Sequence, residues 1–371
     1  MNRIYLDYNA STPIAPEVAG AMRPFLENHP GNPSASHWAG KPAKEAVERA
    51  RTQVAALLGC KSSEIVFTSG GTESNNFAIK GTFFALREKG NHIITAATEH
   101  PAVLNPCKFL QTLGAEITVL PVDSQGLVNP DDVRKAITPK TILVSLMHAN
   151  NETGTIHPIE EVSKITLEHD VWFHTDAAQS CGKIPTKVDD LGVDMLSVAG
   201  HKLYAPKGIG ALYLREGIRP EPFVHGAGHE SGRRAGTENV LLEVGLGAAC
   251  ELAGPHAMTP ELRDRFWNEL HKTFGDKVVS NGHPTRRLPN TLNVSFVGKN
   301  GSQILAKLEE KGVAASLGAA CHKDSVELSP VIAAMGISKQ VGMGTLRFSL
   351  GRSTTWEELQ TVSGFLSVIN S

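Results

Sequence analysis

Lys202 stands in Ser197-Val198-Ala199-Gly200-His201-Lys202-Leu203, just past an apolar run. An amine at the end of a buried strand is desolvated, loses proton affinity and can condense with a carbonyl carbon. Most lysines, however, are solvated loop residues. Asp176 closes a second such run in Phe173-His174-Thr175-Asp176-Ala177-Ala178-Gln179. An acid there can bind a ribose, hold a metal or pair with a protonated ring nitrogen, or simply cap a turn. Thr68-Ser69-Gly70-Gly71-Thr72-Glu73 follows a strand-like run and opens a helical one. Free N–H groups beside two glycines make a phosphate cradle; capping by Ser69 or Thr72 is the plainer alternative. The patterns GxxxxGK[ST] and GxGxxG are absent from this segment, which argues against a nucleotide. His100, in Glu99-His100-Pro101, suits an acid–base group, a ligand, a stacking platform or a hydrogen-bonded structural histidine. Cys321 lies in a loop of small and polar residues, Ser316 to Ser325, beside His322 and Lys323. Such neighbours lower a thiol pKa; an unreactive exposed thiol is the alternative. His225 and His229 are four apart, but the glycines of HGAGHESG argue against a helical zinc pair, and no metal site is expected.

These residues follow short apolar runs. Glu64–Thr68, His92–Ala96, Ile117–Val122, Thr141–Met147, Val171–His174, Met195–Val198 and Ile209–Leu214 read as buried strands. Helical patterns intervene at Glu73–Lys89, Ala102–Leu113, Asp131–Ala136 and Ile159–Glu168. The alternation predicts an α/β fold with a mainly parallel sheet flanked by helices, and ligands gather at the carboxyl ends of such strands. A Gly/Pro/His-rich passage, Ala253–Thr259, marks a boundary. Beyond it, helical Pro260–Phe274, Gln303–Lys311 and Thr355–Ile369 alternate with strand-like Asn290–Val297 and Thr345–Ser349, a smaller α+β unit. The expected division is an N-terminal segment 1–14 packing on the small unit, a large domain 15–255 and a small domain 256–371.

The chain of 371 residues carries 36 Lys+Arg against 38 Asp+Glu, a formal charge of −2. That balance excludes the basic face of a nucleic-acid binder. With 41% hydrophobic residues, a sizeable core can form. No run is long enough to span a bilayer, so no membrane partner is expected. Five scattered cysteines without a CxxC pair argue against a disulfide framework and for a reducing, cytoplasmic setting.

Order and spacing together resemble the pyridoxal-phosphate-dependent cysteine desulfurases and selenocysteine lyases of the class-V aminotransferase family. Further matching segments are Leu6-Asp7-Tyr8-Asn9-Ala10-Ser11-Thr12-Pro13, Gly31-Asn32-Pro33-Ser34, Ala149-Asn150-Asn151-Glu152-Thr153-Gly154, Arg233-Arg234-Ala235-Gly236-Thr237-Glu238-Asn239 and Leu350-Gly351-Arg352-Ser353-Thr354-Thr355.

The resemblance implies a fold type I enzyme whose cofactor, pyridoxal 5'-phosphate, is held covalently on Lys202. By the same likeness Asp176 pairs with the ring nitrogen, Gln179 and Asn151 serve the phenolic oxygen, and His100 stacks on the ring. Gly71, Thr72 and His201 hold the phosphate, and Thr237 reaches that of a neighbouring subunit in a homodimer. Ala199 replaces a serine that often contributes a phosphate hydrogen bond in the family. Arg347 clamps the substrate carboxylate, with Asn32 as a second contact. Lys202 removes the α-proton, Cys321 takes the chalcogen as a persulfide, and alanine leaves. The implied partners are L-cysteine or L-selenocysteine and a sulfur or selenium acceptor protein. After the stacking histidine, mammalian lyases typically carry Asp and housekeeping desulfurases Lys; this chain has Pro101. GAACHKD with SPVIAAMG is closer to the lyase pattern, yet sulfur is the commoner substrate, so cysteine is placed first. An aminotransferase or β-lyase ranks third, because transamination needs no mobile thiol.

Overall fold

The computed structural model describes residues 3–253, 260–317 and 328–370. Its strands are β1 (Ile4–Tyr5), β2 (Ile65–Thr68), β3 (His92–Ala96), β4 (Glu116–Leu120), β5 (Thr141–Ser145), β6 (Trp172–Asp176), β7 (Met195–Ala199), β8 (Gly210–Leu214), β9 (Val278–Asn281), β10 (Thr291–Phe296), β11 (Val313–Ala314) and β12 (Thr345–Ser349). β2 to β8 form one seven-stranded sheet in the order β2-β8-β7-β6-β5-β3-β4. Pairing is parallel from β4 through β3, β5 and β6 to β7. β8 runs antiparallel to both of its neighbours. Parallel neighbours require crossover connections, which the intervening helices supply.

Burial explains the unbroken apolar runs. Every residue of β3, β5, β7 and β8 is buried, because helices cover both faces of the sheet. On one face Ile94, Val144, Phe173 and Leu196 pack with Val47 and Val54 of the Gly40–Leu58 helix and Leu246 of the Val240–Ala253 helix. On the other, Ile93, Leu143, Met195 and Leu212 meet Phe77, Val103 and Leu110. β4 departs from the expectation of a buried strand: Val119 is 49% exposed, since β4 ends the sheet. The helix that follows β2 starts at Gly71, two residues before the predicted Glu73.

A second sheet, in the order β12-β10-β9, is antiparallel, and β1 pairs with β11 in parallel. Ile4 and Leu6 enter the core of this unit beside Phe266, Val294, Phe348 and Leu359. The chain then crosses to the large sheet: Thr12 N–H donates to the His201 carbonyl (2.8 Å) and Ala15 N–H to that of Tyr204 (3.1 Å). Asn9, between these anchors, therefore sits where the two units meet.

Candidate active site

The carboxyl ends of β6 and β7 and the helix starts after β2 and β3 open on one cleft of about 600 Å3. Gly71, Thr72, His100, Asn151, Asp176, Gln179, His201, Lys202 and Arg347 all line it. Residues up to 338 positions apart in sequence, Asn9 and Arg347, are thus brought to one place.

Lys202 lies three residues past the end of β7 in a short turn, Gly200–Lys202. Its Nζ donates to the carbonyls of Asn9 (2.6 Å) and Ala10 (2.9 Å). Burial, then the charge of Arg347, pushes the amine down to about 8, with Asp176 and Asp7 opposing. Near neutral pH a useful fraction is therefore free amine, as a nucleophile or base requires.

The cradle reading of the Gly70–Gly71 turn rests on local geometry. Gly70 has φ 147°, a conformation open to glycine, and no side chain caps the helix that follows. Neither Ser69 nor Thr72 takes up the first N–H groups, so they remain available to an anion. Space at Gly71 is tight: a Cβ there would come within 3.2 Å of Ala199 Cβ. Glu73, an acid in this first turn, is drawn aside. It accepts from Ser69 N (2.8 Å) and Arg234 Nε (2.8 Å). The bonds to Arg234 and Ser69 hold its pKa below the usual carboxylate value although burial works the other way.

Asp176 is buried at the end of β6. Its Oδ2 accepts from Asn75 Nδ2 (2.6 Å) and its Oδ1 from Ala178 N (2.9 Å). His100 caps the Pro101–Gln111 helix, its Nδ1 accepting from Ala102 N (3.1 Å). That bond places the ring proton on Nε2. Burial lowers the proton affinity of His100, Asp176 opposing and Lys202 adding to the effect. Pro101 fits the first helical position, where no N–H is required. Arg347 is 4% exposed. Its Nη1 donates to the Asn151 carbonyl (2.9 Å) and Nη2 to Asp7 Oδ1 (2.7 Å), while Nε is buried without a partner among the described residues. Among the described residues, one N–H on each Nη is left for a further acceptor.

Two expected residues lie elsewhere. Thr237 is exposed and lines a neighbouring depression with Ser69, Gly208 and Arg234. Asn32 is also exposed, and its Oδ1 accepts from Ser34 N (2.9 Å) in a local turn. Cys321 falls outside the described residues. Burial raises the other four thiols: Cys60, Cys107 and Cys181 to about 12, and Cys250 likewise upward. Sequence reasoning missed Asn75, Asn9 and Lys183. Asn75, four residues after Gly71 in the helix, shares its face, a spacing that could have revealed it.

A sheet of this topology with a lysine, an acid and an anion cradle at its strand ends defines an α/β cofactor enzyme. The class-V aminotransferase model matches residues 4–362, and the chain belongs to that family. Among its relatives, cysteine desulfurase IscS of Dictyoglomus turgidum is 52% identical, over 96% of this chain and 91% of that protein. The IscS of Methanosarcina thermophila is 48% identical, over 97% and 90%. Among solved structures, a NifS-like protein superposes with a TM-score of 0.93 at 35% identity, covering 100% of this chain and 99% of that one. SspA in complex with cysteine gives 0.84 at 40% identity, covering 94% and 99%.

Proposed function

We propose that this chain is a cysteine desulfurase that uses pyridoxal 5'-phosphate to release L-alanine from L-cysteine, keeping the sulfur as a persulfide on Cys321 for an acceptor protein. The observation that carries the reading is the single cleft holding a lysine of lowered proton affinity, an uncapped helix start, a strand-end carboxylate and a buried arginine. The desulfurase relatives and the cysteine-bound neighbour support the choice of substrate.

The residues fit the cofactor. The helix start at Gly71 and Thr72, with His201, suits a phosphate; Asp176 suits a protonated ring nitrogen; Gln179 and Asn151 suit a phenolic oxygen; Lys202 suits the carbonyl carbon. Ala199 offers no hydroxyl, but the uncapped N–H groups supply donors. When bound, pyridoxal 5'-phosphate supplies an electron sink for the charge left by loss of the α-proton. Lys202 Nζ takes that proton. Arg347 holds the substrate carboxylate through the N–H groups not used by Asp7 and Asn151. His100 Nε2–H faces the reacting groups as a donor. The Cys321 thiolate forms a bond to the substrate sulfur as the carbon–sulfur bond breaks. Thr237, outside the cleft of its own chain, serves a second copy in a homodimer.

Cys321→Ala is the test. It should abolish sulfide release from cysteine in the presence of a reductant; alanine formation at the wild-type rate would rule out the persulfide role. Parallel kinetics on selenocysteine, with selenide measured separately, decide between the two chalcogens.

A further inference from the structure

Lys183 has no part in the scheme above, yet it is 6% exposed and forms no ion pair among the described residues. Its Nζ donates to Gln179 Oε1 (2.8 Å) and Asn9 Oδ1 (3.2 Å). Lys202 and Arg347 add like charge, and burial together with them pushes the amine down to about 7. An apolar side chain would fill this space without that desolvation cost; what the amine adds is hydrogen-bond direction.

Both atoms that Lys183 Nζ meets are acceptor oxygens, so it donates to each of them whether it is ammonium or free amine. It therefore fixes the oxygen end of the Gln179 amide toward itself and turns the nitrogen end away. One N–H of that nitrogen meets the Asn9 carbonyl at 3.0 Å. The other has no partner among the described residues, on a side chain that lines the cleft. The Asn9 carbonyl alone is a contested anchor, because Lys202 Nζ also donates to it at 2.6 Å. Asn9 cannot turn over in compensation. Its Oδ1 also accepts from Asn290 Nδ2 (3.0 Å), and its Nδ2 donates to Thr291 Oγ1 (2.8 Å) and the Asn151 carbonyl (3.2 Å).

We propose that Lys183 is a positioning residue: acting through Oε1 of Gln179, it makes the amide present an N–H donor to the cleft, matched to an anionic oxygen such as a phenolate. The inference rests on the cofactor reading above. A donor on the phenolate favours the less protonated form of the bound chromophore. Its loss should raise the apparent pKa of the visible band.

The test is a spectrophotometric pH titration of the full-length enzyme loaded with pyridoxal 5'-phosphate. Lys183→Met should raise the apparent pKa by about one unit, a tenfold change in the proton equilibrium. Gln179→Ala should do the same, and the double variant should shift no further than either single one. An unmoved titration in Lys183→Met, or a shift that persists undiminished in the Gln179→Ala background, overturns the proposal; the latter would make Lys183 a bare charge. Should Lys183→Met fail to fold by circular dichroism, Lys183→Gln takes its place. Its amide accepts as readily as it donates and no longer enforces orientation, so the same upward shift is expected and its absence is equally fatal. A wild-type enzyme that gains no visible band overturns the cofactor reading and this inference with it; a normal band that Lys183 variants leave untouched overturns this inference alone.

Discussion

His174 lies inside the large sheet and His100 at its cleft, and the two differ in how completely their ring nitrogens are used. His174 Nδ1 meets Ser145 Oγ at 2.8 Å and Nε2 meets Ser197 Oγ at 3.0 Å, tying β5, β6 and β7 together. His92 repeats the device between Thr141 and Thr118. Burial drives His174 down to about 3, so the ring is neutral, one nitrogen donating and the other accepting. His100 uses Nδ1 as a helix cap, and on this ring, which lines the cleft, Nε2 has no partner among the described residues. Both rings have lowered proton affinity, so that property does not separate them. Unused hydrogen-bonding capacity beside open space does. The same contrast holds for the lysines: Lys202 lines the cleft, whereas Lys183 is enclosed among amide oxygens.

The largest effect should come from Lys202→Ala. Removing the group that bonds the cofactor and moves the α-proton is expected to lower alanine formation by at least about a thousandfold, roughly 4 kcal/mol in the barrier. The folded stability should hardly move, since among the described residues Nζ donates to two carbonyls alone. Turnover above a tenth of wild type would place the reacting amine elsewhere and erase the contrast between the two lysines.

How far the residues could be read in advance follows from how local their placement is. Lys202, Asp176, Gly71 and His100 each sit within a few positions of an apolar strand, so the neighbouring sequence announces the strand end that positions them. Arg347 was recognisable only through the family likeness. Nothing around it foretells Asp7, 340 positions away, as its partner. Asn9 meets Thr291 across 282 positions, a distance no periodicity spans. Lys183, in Cys181-Gly182-Lys183-Ile184-Pro185, has the surroundings of a solvated loop lysine and is instead enclosed. β4 was misread as buried because its apolar run cannot reveal that no strand follows it in the sheet. Gly71 opens its helix two residues early. The predicted start at Glu73 followed the helical pattern of side chains, which glycine at 71 does not extend, and the turn at Gly70 needs no side-chain cap.

A smaller effect, and on stability, is expected of His174→Phe. The ring shape is roughly kept, but Ser145 and Ser197 lose their partners inside the sheet. Leaving buried hydroxyls unpaired should cost about 2–4 kcal/mol in urea unfolding, while turnover per folded molecule stays near wild type. A variant of undiminished stability that loses activity would move His174 from scaffold to catalyst.

The smallest effect lies in the pH dependence of that same gap, and its sign is determined. In the unfolded chain a histidine titrates at 6.5; in the fold His174 titrates at about 3. Between these values the unfolded state binds a proton that the native state refuses, so the histidine's contribution to stability falls as pH falls through 6.5. Phenylalanine has no such dependence. The stability difference between wild type and His174→Phe should therefore shrink by about 1.4 kcal/mol for each pH unit below 6.5. Glu99, Glu152 and Glu243, whose proton affinities burial raises, act in the opposite direction. They are common to both proteins and cancel in the difference. Urea titrations of the pair at pH 7, 6 and 5 measure it. A gap that stays constant would mean that the native ring takes up its proton as readily as the unfolded one, and His174 would then share the open valence of His100 instead of opposing it.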